Sequence, residues 1–208
     1  MDPRRLTSQH AVRVAPRVLG ARITSRIDGA VVTIRVTEVE AYGGLDEDPG
    51  SHAYRSRTAR NASMFGPPGH AYAYFTYGMH WMLNLVTQPE GTAGAVLIRA
   101  GQLVDGLEVA SARRPACAVE RDLGRGPARL AAALGIDGGC DGLDLLTSGG
   151  IIALELAARP PTVVLTSART GVAGEGALTP WRFFLPDEPT VSPYRAAVTR
   201  GRPVRPLR

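Results

Sequence analysis

From Val32 onward the chain alternates with a period of two. Val32, Ile34 and Val36 fall on one face of an extended segment, and the same parity carries Glu38, Glu40 and Tyr42 onto that face. A row that begins apolar and ends in two carboxylates restricts the architectures open to it, because an unpaired carboxylate inside a core is costly to desolvate. Either the row opens into a cleft, or Glu38 and Glu40 are met by arginines in salt bridges at a sheet edge. The residues that follow favour the cleft.

Five of the six tyrosines (Tyr42, Tyr54, Tyr72, Tyr74 and Tyr77) lie between Val36 and Val86, although aromatic residues make up only 6% of the chain. After Tyr42, Gly43-Gly44 and the run Leu45 to Gly50 carry turn chemistry, which places His52 at the end of a loop able to return it towards Tyr42. Gly66-Pro67-Pro68-Gly69 breaks the chain before an extended run from His70 to Thr76, in which Tyr72, Tyr74 and Thr76 share a face. Trp81 to Val86 reads as the returning strand, so Tyr77 falls at or beside the tip of a β-hairpin. An aromatic there either folds back onto the sheet or stands out as a wedge between stacked base pairs. Asn84 interrupts an apolar strand, as a satisfied sheet asparagine or as an amide on a pocket floor.

Together these residues resemble the alkyladenine (3-methyladenine) DNA glycosylase family. The resemblance rests on Val39-Glu40-Ala41-Tyr42, His52, Thr58-Ala59-Arg60-Asn61 with Met64-Phe65, the run Tyr72 to Met79, Asn84, and Val96-Leu97-Ile98-Arg99, in that order and spacing. Weaker similarity reaches Gly126-Pro127-Ala128-Arg129-Leu130, Ala168-Arg169-Thr170-Gly171-Val172 and Pro180-Trp181-Arg182-Phe183-Phe184. It implies that Glu40 is the general base that orients and deprotonates water for attack on C1′ of a flipped nucleotide, with Arg99 and the backbone of Val172 helping to hold that water. It further implies that Tyr42, His52 and Tyr74 sandwich the extruded base. Tyr77 would then fill the gap left in the duplex, Met79 would brace the opposite side, and Asn84 would crowd out the exocyclic amino group of normal guanine. His80 departs from the pattern, since related members carry another aromatic phenol there.

The chemistry agrees with the residues taken alone. An enzyme acting on a base must take it out of the stack, and a slot of aromatic faces favours an electron-poor or cationic purine. A purine alkylated at N3 or N7 is already a good leaving group, so a carboxylate that activates water is the main catalytic requirement. Neutral lesions such as hypoxanthine or ethenoadenine also need leaving-group protonation, for which the sequence offers no evident donor. All 24 positions that carry lysine or arginine are arginine. Lyase-type glycosylases form a Schiff base through an amine that guanidinium cannot supply, so a monofunctional enzyme leaving an intact abasic site is expected.

A length of 208 residues with 44% hydrophobic content suits one domain with a substantial core. The net charge of +5 favours anionic partners. Arg55, Arg57 and Arg60 precede the aromatic strand, where they would meet phosphates flanking a flipped nucleotide or else form a solvated face. Cys117 and Cys140 make neither a disulfide framework nor a zinc site, and the histidines lack metal-ligand spacing, so no metal and no other cofactor is expected. With neither a signal peptide nor a bilayer-length apolar run, the expectation is a monomer in the reducing cytoplasm, associated with the nucleoid and without membrane contact. The expected partner is double-stranded DNA containing damaged purines.

A helix is predicted around His10 to Leu19, interrupted or entered at Pro16, followed by strands from Arg22 to Ile27 and Val31 to Glu40 joined through Asp28-Gly29, with strands dominating to Arg99. Asp105 reads as the N-cap of a helix reaching about Arg114, and Pro127 with Gly135 brackets another, while Ala116 to Gly126 is ambiguous. Extended runs return at Ile151 to Leu156, Thr162 to Ser167 and Arg182 to Leu185, and Ser192 to Arg208 reads as a weakly ordered basic tail. The sum is a single α+β domain: a curved, mainly antiparallel sheet with flanking helices and a projecting β-hairpin, the fold the resemblance also implies. Two rivals remain. Asp46, Glu47 and Asp48 with Glu38 and Glu40 would suit Mg²⁺ in a nuclease, and the aromatics alone would suit a nucleic-acid binding module without chemistry.

Overall fold

Asp28 and Gly29 both take positive φ, 58° and 72°, the conformation that a two-residue hairpin turn demands. In the computed structural model, which describes residues 2 to 198, they join β1 (Arg22–Ile27) to β2 (Ala30–Tyr42) as an antiparallel pair. Further strands are β3 (Ala71–Thr76), β4 (His80–Val86), β5 (Ala95–Asp105), β6 (Ile152–Glu155), β7 (Leu165–Ser167) and β8 (Arg182–Phe184). They form one curled, antiparallel sheet in the order β3-β4-β5-β2-β1-β6, with β8 also on β2 and β7 on β8. Among the described residues four short helices complete an α+β domain: α1 (Pro3–Thr7), α2 (Ala11–Val18), α3 (Leu107–Arg113) and α4 (Pro127–Leu134).

The sheet separates two environments by strand parity. Val14, Ala15 and Val18 of α2 and Leu130, Ala131 and Leu134 of α4 pack with Ala71, Ala73, Leu83, Leu85, Val96 and Ile98 in the main core. The alternate residues of β3, β4 and β5 (Tyr72, Tyr74, Thr76, Met82, Asn84, Leu97 and Arg99) line a cavity on the other face. Sequence parity misassigned one stretch of β2. Val32, Ile34 and Val36 belong to the main core, but the next core residues are Val39 and Ala41, because register shifts against β5 fall between Val36 and Glu38 and again between Glu38 and Val39. A bulge adds one residue and turns every later side chain over. Glu38, Glu40 and Tyr42 therefore do not extend the apolar row; they face the side opposite to it.

Other boundaries differ for local reasons. Pro16 lies inside α2 without interrupting it. Asp105 ends β5, paired with Thr33, and Gly106 at φ 80° is the cap of α3, so the predicted Asp105 cap is displaced by one residue. The run predicted from Thr162 to Ser167 pairs only at Leu165–Ser167. The predicted bracket of Pro127 and Gly135 matches α4, with Gly135 at φ 76° after its last turn. The segment read as a loose tail starts firmly held, since Ser192 is buried and donates to Glu38. Its residues 199 to 208 lie outside the described residues.

Candidate active site

The cavity has a volume of about 630 Å³ and is lined by Tyr42, His52, Tyr72, Tyr74, Tyr77, Asn84, Arg99, Thr170, Val172 and Arg195, among others. Seven of the residues expected from sequence thus meet in one place: Tyr42, His52, Tyr74, Tyr77, Asn84, Arg99 and Val172. Glu40 lies beneath the wall, fully buried, and is reached through residues that do line it. Its Oε2 accepts the Tyr42 hydroxyl at 2.8 Å, and its Oε1 accepts the Thr170 backbone N–H at 2.7 Å. Arg99 Nε stands 3.5 Å from Glu40 Oε1 but 2.7 Å from Glu38 Oε1, and makes a hydrogen bond to neither.

Ion pairing, the alternative for both carboxylates, is close at Glu38, which faces Arg99 and Arg182 at 2.7 Å, and looser at Glu40, which faces Arg99 at 3.5 Å. Glu38 Oε1 accepts from Arg182 Nε at 2.7 Å and from Ser192 Oγ at 3.0 Å, and Oε2 accepts from the Ser192 N–H at 2.6 Å. Two acids, two residues apart on one strand, are held by different means. Glu38 is paired closely with arginine, while Glu40 takes its hydrogen bonds from neutral donors and meets Arg99 only at 3.5 Å. The backbone donor to Glu40 is Thr170, two residues before Val172. No sequence signal distinguishes one backbone N–H from the next.

His52 and Tyr74 meet edge to face, with ring centroids 4.7 Å apart and planes at 80°, and Tyr72 stacks on Tyr74 at 5.1 Å and 28°. A base stacked on both sides needs about 7 Å between its neighbours, two contacts of about 3.5 Å. No base enters between His52 and Tyr74, so these two form one wall and Tyr42 contributes another. His52 is exposed at the surface, but desolvation of its ring against the aromatic wall, with Arg60 as a second cause, holds the imidazole below its ordinary pKa, and its Nδ1 lies 3.1 Å from the Tyr72 hydroxyl. Burial raises Tyr74 to about 12 and, with Glu40 adding to it, raises Tyr42 well above the ordinary phenol value. At neutral pH the aromatic walls are uncharged, which suits a cationic purine face to face with them.

Behind Tyr42 stands Arg169, its guanidinium 4.7 Å from the ring centroid. It pairs with Asp48 and donates to the Ala41 carbonyl at 3.0 Å. Sequence reasoning left Arg169 unassigned and grouped Asp48 with a possible Mg²⁺ site. Asp48 is instead saturated by Arg169 and by the N–H groups of Gly43 and Gly50. Glu47 is likewise bound, by His10 at 2.6 Å and by Gly44 N–H, and no group of three metal-ligating side chains gathers among the described residues. His52 reaches the cavity because buried Asn61 donates to the carbonyls of His52 and Ser56 while accepting from Thr58 N–H, within a 3-10 turn spanning Ala59–Phe65.

At the hairpin, Tyr77 (φ 52°) and Gly78 (φ 68°) are the central residues of a turn closed by Met79 N–H to Thr76 carbonyl at 3.2 Å. Tyr77 is 83% exposed and Met79 67% exposed, so Tyr77 does not fold back onto the sheet. A bulky residue held at positive φ stores about 1 to 3 kcal/mol of strain. Such strain, on a side chain with nothing to bury against, fits a function at the tip. Asn84 is buried, gives its amide N–H to the Tyr72 carbonyl at 2.9 Å and still lines the cavity. Arg57 and Arg60 are exposed beside it, Arg57 over Phe65 at 5.5 Å and Arg60 over Tyr74 at 5.7 Å with a bond to the Phe75 carbonyl.

Comparison with known proteins agrees with this geometry. The family model for methylpurine-DNA glycosylase matches residues 5 to 189. A protein of Streptomyces avermitilis carrying the name "Putative 3-methyladenine DNA glycosylase" is 51% identical over 191 residues, covering 91% of this chain and 89% of the relative. Proteins of the same name from Leifsonia xyli subsp. xyli and Nocardia farcinica are 50% and 49% identical, over 89% and 87% of this chain and 88% and 85% of theirs. No helix among the described residues is long and apolar enough to cross a membrane. This chain belongs to the methylpurine-DNA glycosylase family.

Proposed function

We propose that this chain, a DNA glycosylase of base excision repair by its family, flips alkylated or deaminated purines out of double-stranded DNA and hydrolyses the N-glycosidic bond as a monofunctional enzyme. The observation that carries the reading is Glu40, buried, hydrogen-bonded by Tyr42 and Thr170 and facing Arg99 at 3.5 Å, all three of which line the aromatic cavity. The extruded base lies between Tyr42 and the joined wall of His52 and Tyr74. Glu40 accepts a proton from water as that water attacks C1′, and the bonding pair of the C1′–N bond leaves with the damaged base. Arg99, nine-tenths buried with no hydrogen bond to its Nε, helps to hold the water together with the backbone near Val172. Asn84 limits access for the amino group of guanine.

Tyr77 takes the vacated place in the duplex, Met79 braces the opposite side, and Arg57 and Arg60 bind flanking phosphates. No cofactor enters these steps. We further propose a monomer working in the cytoplasm at the nucleoid. Incubation in EDTA with duplexes that each carry one lesion, scored for released base and for strand breaks, tests the reading. Free base with intact abasic strands is expected. Breaks that vanish in EDTA would point to a metal nuclease, and binding without base release to a non-catalytic module. A borohydride-trapped adduct through any group but the terminal amine would contradict monofunctional hydrolysis.

A further inference from the structure

We propose that Arg195 binds a backbone phosphate of the extruded nucleotide, on a segment that Glu38 fastens to the rim of the cavity; the inference rests on the function proposed above. The family match ends at residue 189, yet the chain beyond it is built into the site. Ser192 is pinned to Glu38 through its N–H and hydroxyl, and its carbonyl accepts Arg182 Nη2 at 2.6 Å. Three residues on, the Arg195 carbonyl accepts the Gly171 N–H at 2.9 Å. A segment held at both ends has little freedom to carry its side chains elsewhere.

Arg195 lines the cavity and is exposed, and its guanidinium has neither an ion pair nor a hydrogen bond among the described residues. It differs in this from Arg99, Arg169 and Arg182, which face buried carboxylates of the same site. A guanidinium at the mouth is repelled by a cationic purine but matched to the phosphate that accompanies it, which a planar fork binds in two-point fashion. Gly171, which holds the Arg195 carbonyl, directly follows Thr170, the donor to Glu40. Seating the phosphate on Arg195 therefore sets the sugar relative to that carboxylate. The buried charge of Glu38 acquires a purpose in this arrangement: it places a cation rather than performing chemistry.

Binding of a duplex with one tetrahydrofuran abasic analogue, which cannot be cleaved, is measured for wild type, Arg195→Gln and Arg195→Lys from about 50 to 200 mM salt. Arg195→Gln is expected to weaken binding about tenfold at low salt and to lower the slope of log Kd against log salt by about one, the loss of one phosphate contact. Arg195→Lys keeps the charge and is expected to keep the slope. A slope unchanged in Arg195→Gln, or lost equally in Arg195→Lys, overturns the assignment. Base release by the wild-type protein checks the underlying function separately.

Discussion

Arg169 and Asp48 meet in a two-point ion pair, Nη1 to Oδ2 and Nη2 to Oδ1 both at 2.6 Å, with Arg169 fully buried and Asp48 exposed by only 1%. Through this pair the loop after β2 is tied to the loop that carries Thr170, and Tyr42 is backed by a cation on the side away from the cavity.

Asp48→Asn leaves Arg169 buried without its counter-charge, a change that costs about 3 to 5 kcal/mol and is read from urea unfolding. Burial alone would raise the Asp48 carboxyl, but Arg169 and the N–H groups of Gly43 and Gly50 outweigh it and hold the pKa below the ordinary value. A depressed carboxylate stabilises the fold above its unfolded pKa, near about pH 4, and that contribution is lost as pH falls through the folded value. Wild-type stability should therefore drop on the acid side of about pH 4, and Asp48→Asn should show a shallower drop there. Equal acid limbs would contradict the pair.

Tyr77→Asn replaces a bulky side chain at φ 52° with one that tolerates the left-handed region. The fold should gain about 1 kcal/mol, measured as a higher melting temperature, while base extrusion followed by 2-aminopurine fluorescence should weaken. A variant that is less stable, or that extrudes as well as wild type, would remove the wedge.

His52 is exposed at the surface, yet desolvation of its ring, and secondarily Arg60, hold its pKa below the ordinary value. Arg60→Gln should move its imidazole titration, followed by NMR, upward but still short of the ordinary value, because the larger cause remains. With the folded pKa lowered, the unfolded chain binds more protons, so this residue's contribution to stability declines as pH falls below about 6.5. An upward-shifted imidazole in the wild-type protein would contradict the account.

Much of this site was legible because its signal lies in side-chain type. Tyrosines at alternate positions of β3, a breaker before it and a turn after it specify a hairpin with one aromatic face. Three features were not legible. The bulge between Val36 and Val39 leaves no mark in the residue types, yet it decides which face Glu40 occupies. Thr170, Arg169 and Arg195 come from loops more than 120 residues beyond Glu40, and only the folded sheet brings them near. Glu38 and Glu40 look equivalent in sequence; partners from Arg182 and Ser192 make them different.

The central claim is that Glu40 drives water onto the sugar of a purine swung into the aromatic cavity. Single-turnover base release and lesion-duplex binding by Glu40→Gln test it most directly, since the amide keeps the shape but cannot take the proton. Base release should fall by at least about a hundredfold, the smaller end of what general base catalysis contributes, with affinity for the lesion duplex retained. Undiminished base release would take Glu40 out of the mechanism and the account with it.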